Sequence, residues 1–320
     1  PINAMQSFPG LTREPERLPW LWCLKCRNEA SAKDNISPLP FNQQTMDKYA
    51  KPLIGLDPND PDYAQKALVR NYMYPDHDYY RELITRSAPS TRINANASGG
   101  TDKVTYFLNA AYLHQGGNLK VEPKSILGYD PSSKMDRFSF RANLDYKVSN
   151  NVKAFLNIGS YIEQVNMPSA GLYPNSDTNW MMRDMLYQAQ TILPITPGPT
   201  TIAGFGVAPG QIVYPTYLDR TAHEIINRYG YRAEVRSNLN SSFGLNWDLG
   251  NKITKGLSVK GMISYDSKST SATQGYKNER QYGADVNSAT DQMTYSVIRA
   301  SESLLSITKG VDSRYNINIQ

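Results

Sequence analysis

The stretch RFSFRANLDYKV, residues 137–148, alternates without exception. Arg137, Ser139, Arg141, Asn143, Asp145 and Lys147 take one side; Phe138, Phe140, Ala142, Leu144, Tyr146 and Val148 take the other. A strand turns successive side chains to opposite faces, so the run predicts a strand with one polar and one apolar face. Two environments satisfy that pattern. In a soluble sandwich the apolar face packs on a second sheet and the polar face meets water. In a membrane barrel the apolar face meets lipid and the polar face lines the lumen. Periodicity alone does not separate them; strand length, loop asymmetry and aromatic placement do.

The longest alternating run is RYGYRAEVRSNLNSSFGLNWDL, residues 228–249. Its odd positions carry Tyr229, Tyr231, Ala233, Val235, Leu239, Phe243, Leu245, Trp247 and Leu249, broken by Ser237 and Ser241. Strands of soluble proteins usually run about 5–6 residues. At about 3.3 Å per residue and a tilt near 45°, this run rises on the order of 50 Å, twice the roughly 25 Å apolar band of a membrane barrel. Tyr229 and Tyr231 near one end and Trp247 near the other suit the two aromatic girdles of such a band. Further strands are expected over 91–98, 103–114, 152–163, 256–267, 291–306 and 313–320. The segment INAMQS near the start is read as the remnant of one more, about nine in all.

The connections alternate in length. Short ones fall at 99–102, 149–151 and 250–256, and long ones at 9–90, 115–135, 164–227 and 268–290. Counting strands in order puts every short turn at one end and every long loop at the other, as in an up-and-down outer-membrane barrel. The long loops carry helical patches at 19–33 and 62–74. Residues 177–190 read as an amphipathic helix with Asp177 as N-cap and Met181, Met182, Met185, Leu186 and Ala189 on its apolar face. The expected fold is therefore all-β, a partial antiparallel up-and-down transmembrane β-barrel with long external loops carrying short helices. One domain spans 1–320: a first-strand remnant and long external loop over 1–90, then barrel strands over 91–320 interrupted by the external loop 164–227.

Composition fits this reading. Of 320 residues 40% are hydrophobic, with 22 Tyr and 4 Trp, and no run approaches the roughly 20 apolar residues of a membrane-spanning helix. The net charge of +5 is scattered, without the clustered basic face of a nucleic-acid binder. PINAMQSFPG has no signal-peptide pattern, and both ends read as cuts through a longer protein. Cys23 and Cys26 form a lone C-x-x-C, with no second pair for a zinc site; a structural or incidental pair is the expectation, with a disulfide as the form it takes if the compartment is oxidising.

The run NASGGTDKVTYFLNAAYLHQGG, residues 96–117, resembles a signature hairpin of the SusC/RagA family of TonB-linked outer-membrane transporters. DRFSFRANLDYKVSNNVKAFLNIGSYIE (136–163), ILPITPGP with the returning strand at 226–249, and KGLSVKGMISYD (255–266) resemble later stretches of that family in the same order. RLPWLWCLKCRNEA (17–30) and HDYYRELITRSAP (77–89) fit its first external loop, although the Cys pair departs from the pattern. The resemblance implies import of oligomeric nutrients, glycans or peptides, across the outer membrane. It implies a SusD-like surface lipoprotein as lid, an internal plug, and energy from the TonB complex through an N-terminal part that is absent here. A TonB-dependent receptor for a siderophore or vitamin shares the architecture, and a secreted β-rich adhesin is the rival from another class.

No enzyme motif is present: G-x-S-x-G, H-E-x-x-H and the P-loop are all missing, and no catalytic residue is expected. SGGTDK reads as a hairpin turn rather than a phosphate loop. Asp57, Asp60 and Asp62 in DPNDPD are a weak calcium candidate, lacking the bend glycine and the terminal Glu; a solvated loop is the default. His77 between Asp76 and Asp78 lacks a visible partner as a base. Arg137, Arg141, Arg232, Glu234 and Arg236 are expected to face the lumen, as a hydrated wall of mutual ion pairs or as contacts to the plug. Tyr173, Trp180, Tyr187, Tyr214 and Tyr217 are the loop aromatics expected to line a substrate path.

Overall fold

The computed structural model describes residues 20–38, 40–169, 178–215, 218, 220–250, 254, 256–287, 290–300 and 302–319, with the backbone alone at 20–23 and 178–180. Among the described residues ten strands are formed: β1 (Ser90–Gly100), β2 (Val104–Gly116), β3 (Lys134–Lys147), β4 (Val152–Pro168), β5 (Ile212–Val213), β6 (Gly230–Asp248), β7 (Ser258–Tyr276), β8 (Gln281–Asn287), β9 (Gln292–Arg299) and β10 (Ser306–Ile319). Seven of them build one antiparallel sheet in the order β1-β2-β3-β4-β6-β7-β10. The sheet is open, with β1 and β10 as its edges. The other three, in the order β5-β8-β9, form a small separate sheet.

Two expectations are corrected here. Residues 291–306 were expected to add a strand to the large sheet; Gln292–Arg299 instead pairs with β8, in register from Asn287↔Gln292 to Gln281↔Arg299. The loop expected over 268–290 is largely strand, because β7 continues to Tyr276 and β8 follows. The large sheet thus holds seven strands among the described residues, not nine, and the INAMQS remnant lies outside them. The alternation of connections persists. Short links join β1 to β2, β3 to β4 and β6 to β7, and long ones join β2 to β3, β4 to β6 and β7 to β10. The turn after SGG is a hairpin turn as expected, with the Thr101 hydroxyl accepting from the Lys103 and Val104 N–H groups at 3.3 Å each.

Register keeps one apolar face intact across the sheet. Ile93 pairs with Tyr112, Tyr112 with Phe138 and Phe138 with Ile162; lower down, Leu144 pairs with Leu156, Leu156 with Phe243 and Phe243 with Ile263. The period-two pattern therefore stays in phase from strand to strand, which fixes register wherever one face is apolar. Among the described residues nothing packs over this face: Phe138 is 54% exposed and Phe140 47%.

The buried apolar side chains lie instead in the long connections and at the strand ends that meet them. Among the described residues seven helices sit there: α1 (Trp20–Lys33), α2 (Gln43–Ala50), α3 (Tyr63–Met73), α4 (Tyr79–Leu83), α5 (Lys124–Leu127), α6 (Thr178–Thr191) and α7 (Ala222–Asn227). Met181, Met185 and Ala189 of α6 are buried against Leu83, Leu119, Ile225 and Ile226, with Met182 and Leu186 beside them. This is the apolar face read from the sequence, and each such side chain contributes roughly 1.5–3 kcal/mol on burial. A second core gathers Val69 and Met73 of α3 with Tyr74 and Met293 of β9, so the small sheet is packed into the cap by α3. The caps are local: Asn42 accepts from the Thr45 N–H at 2.8 Å, Asp78 from Arg81 at 3.0 Å and Thr221 from Glu224 at 3.2 Å. Cys26, on α1, is a free thiol; the Cys23 side chain lies outside the described residues.

Candidate functional site

The five residues expected on a polar face do share one. Arg137 on β3 stands opposite Glu163 on β4, which stands opposite Arg236 on β6, so all three occupy one level. Glu234 is buried between two arginines: Arg232 Nε donates to Oε1 at 2.6 Å, and Arg236 donates to Oε2 at 2.5 and 2.8 Å. Arg236 also reaches Glu163 at 3.2 Å. Arg232 bonds the Gln274 carbonyl oxygen at 3.1 Å, and the Gln274 amide donates to Ser169 at 3.1 Å. Arg137 lies over the Tyr161 ring, 4.1 Å from its centroid. Arg141 stands exposed opposite Gly159 and makes no ion pair among the described residues. Both Glu234 oxygens are engaged by cations, so the Arg232–Glu234–Arg236–Glu163 set is a connected network of charge-assisted bonds.

Of the five loop aromatics, Tyr187 and Tyr214 have described side chains, and the two differ in exposure. Tyr187 on α6 is 62% exposed, whereas Tyr214 is buried and its N–H donates to the Tyr282 carbonyl at 2.8 Å. Trp180 lies in the first turn of α6 with its side chain outside the described residues, as are Tyr173 and Tyr217 altogether.

Asp57, Asp60 and Asp62 do not converge. Asp57 accepts from the Asn59 N–H at 2.9 Å, and Asp60 accepts from the Asp62 N–H at 2.8 Å and pairs with Lys66 at 2.5 Å. The Lys66 ammonium holds the Asp60 carboxyl below its usual range. Among the described residues no group of three or more His, Cys, Asp or Glu is placed to hold a metal ion.

Three charge clusters in the cap escaped the sequence. Asp291, in the β8–β9 turn, receives Lys48 of α2 at 3.0 Å and Arg70 of α3 at 2.8 and 2.5 Å. Burial alone would push its carboxyl up, but the two cations hold it below the ordinary value. Arg228 bridges Glu122 at 2.7 Å and Glu279 at 3.3 Å, and Lys277 completes the set on Glu279 at 2.6 Å. These groups line a cleft of about 410 Å³ with Gly210, Arg280 and Glu302. Glu224 on α7 is fully buried and accepts from the Gln281 amide; burial pushes its carboxyl up, and that bond pulls only partly back. Partners more than 200 residues apart, as Asp291 is from Lys48 and Arg70, leave no local signature.

The fold and its polar wall define a class: a long-stranded antiparallel meander, polar on one face, with its helices collected at one end. Within that class the chain shows partial similarity to TonB-linked transport proteins. A TonB-dependent receptor of Formosa agariphila is 27% identical over 110 residues, which is 34% of this chain and 9% of that protein. The RagAB peptide importer in its open-open state aligns with 79% of this chain and 26% of its own, at 15% identity and a TM-score of 0.49. In its closed-closed state the corresponding values are 95%, 37%, 15% and 0.39. The chain thus spans less than half the length of each. No family model matches it.

Proposed function

We propose that this chain is part of the wall of an outer-membrane barrel that imports oligomeric nutrients under TonB control. The observation that carries the reading is the bare apolar band. On β3 and β4 it runs over about ten residues, from the Phe138–Ile162 level to the Tyr146–Ala154 level and the flanking Val148 and Val152. Tilted near 45°, ten residues rise roughly 23 Å, close to the roughly 25 Å apolar height of membrane barrels. Above it β7 continues as a strand whose two faces are both polar, as a wall standing in water would be.

On this reading the apolar face meets outer-membrane lipid and the Arg137–Glu163–Arg236 ladder lines the lumen. The long connections face outward, where a SusD-like surface lipoprotein would sit over them. The cargo is an oligosaccharide or a peptide, with Trp180 and Tyr187 on α6 as candidate contacts. Support comes from the ordered sequence resemblance and from the kinship with a TonB-dependent receptor.

Cysteines placed at neighbouring positions in a variant lacking Cys23 and Cys26 test the assignment in lipid vesicles. A fluorophore on Phe140→Cys should be quenched by lipid-borne nitroxide. One on Ser139→Cys should be quenched by an aqueous reagent instead. Equal aqueous quenching at both positions would remove the membrane reading.

A further inference from the structure

At the short-turn end of the polar face, four lysines line one cleft. Lys147 stands directly opposite Lys153, Lys153 opposite Asn246, and Asn246 opposite Lys260, so three lysines occupy one level across four strands. Lys103 adjoins them, its carbonyl accepting from the Lys147 N–H at 2.7 Å. With strands about 4.8 Å apart, the row from Lys147 to Lys260 is roughly 14 Å long. It borders a cleft of about 510 Å³ that Asp102, Asp145 and Phe155 also line. Four lysines against two aspartates leave a net +2 on that lining. No ion pair joins any of the four lysines to a carboxylate among the described residues, whereas the arginines of the same face are largely paired.

Like charges directly opposite on neighbouring strands destabilise a sheet. The Lys147–Lys153 pair is such a conflict, and no ion pair within the described chain relieves it. Phe155 forms the floor. Its ring lies on Gly244, where an added Cβ would come within 2.3 Å of it, so only glycine admits the ring there. The Lys260 ammonium lies 5.0 Å from the ring centroid. With the sheet on one side and an ammonium at its face, the ring is not offered for stacking on a sugar. A single small anion would cover only a fraction of the row. An extended chain, rising about 3.3 Å per residue, can set several carboxylates along it.

We propose that this row docks an acidic peptide segment, a stretch of extended chain carrying several carboxylates. Charge complementarity carries the choice of partner, and strand spacing sets its length. The proposal leans on the barrel reading only for the side of the membrane, which would be the periplasmic one.

The test is fluorescence anisotropy of a labelled Gly-Glu repeat peptide with the full chain in non-ionic detergent. Binding should weaken steadily as salt is added. The triple variant Lys147→Gln/Lys153→Gln/Lys260→Gln should bind about tenfold more weakly or worse, since charge-assisted bonds are lost along the whole row. Lys309→Gln, on the apolar face of β10, should bind as the parent does. The triple variant removes a repulsion and should melt no lower; should it fail to fold, Lys153→Gln alone is read by the same criterion. Unchanged binding in the lysine variants overturns the proposal. So does tight binding of dextran sulfate through these lysines with none of the acidic peptide. Failure of the nitroxide experiment would overturn the membrane assignment and leave this binding result standing.

Discussion

Glu224 and Asp291 show how burial and partners set opposite signs at single residues. Asp291 is held charged by Lys48 and Arg70, so its contribution is present at neutral pH and fades as acid protonates it. Glu224 is the reverse case. Its folded-state affinity for the proton is raised, so its contribution is complete below the usual carboxyl range and is lost as pH rises through the raised value. Glu224→Gln keeps an oxygen for the Gln281 amide and removes the charge. It should therefore melt like the parent near about pH 4 and higher near about pH 8, by about 2–4 °C per kcal/mol recovered. Thermal melting followed by circular dichroism at the two pH values checks this, and an equal shift at both would mean that Glu224 is not the titrating group. Neither residue stood out in the sequence. A carboxylate's meaning depends on what the fold sets beside it, and these partners come from distant helices and strands. Arg137, Arg232, Glu234 and Arg236 were legible because face assignment needs only the period of two.

Among the elements, what was read correctly and what was missed divide along physical lines. The Arg228–Leu249 run identified β6, yet the strand begins at Gly230, where φ is +103°. There an added Cβ would lie 2.2 Å from the Gly275 carbonyl oxygen. A left-handed glycine at the junction of α7 and β6 lets the chain turn from helix into sheet while touching β7. Gly230→Ala should cost roughly 2 kcal/mol or more, through both strain and contact. Limited trypsin digestion should then show faster cleavage at Arg228 and Arg232, while Gly310→Ala on β10, with open space around it, should digest like the parent. The upper half of β7, KSTSATQGY, was read as a loop because both its faces are polar and no alternation marks it. The 292–299 segment alternates well enough to be a strand, but alternation does not say which sheet it joins. In the sheet it does join, Met293 packs against Val69, Met73 and Tyr74.

For the whole molecule, the apolar side chains of the large sheet and those of the cap are in different situations. Cap residues such as Met185 and Ile226 are buried by the chain itself, while Phe138, Phe140 and Val259 are left half exposed. A monomeric protein rarely leaves so continuous an apolar surface open to water. On the proposed membrane reading lipid removes the conflict, and that reading makes a sided prediction. Leu144 and Asn143 are neighbours on β3 near the middle of the band, turned to opposite faces. Leu144→Lys should lose roughly 2–4 kcal/mol in denaturant titrations of the vesicle-embedded protein, the cost of a cation on the lipid face near the midplane. Asn143→Lys faces the polar wall, two residues from Arg141, and should stay within about 0.5 kcal/mol of the parent, as surface substitutions usually do. In detergent-free water the full chain should instead self-associate, because the same band then has only other copies to cover it. Equal costs for the two lysines, together with a stable monomer in water, would mean that the band is not a lipid face, and the wall assigned here would have to be read as one half of a sandwich.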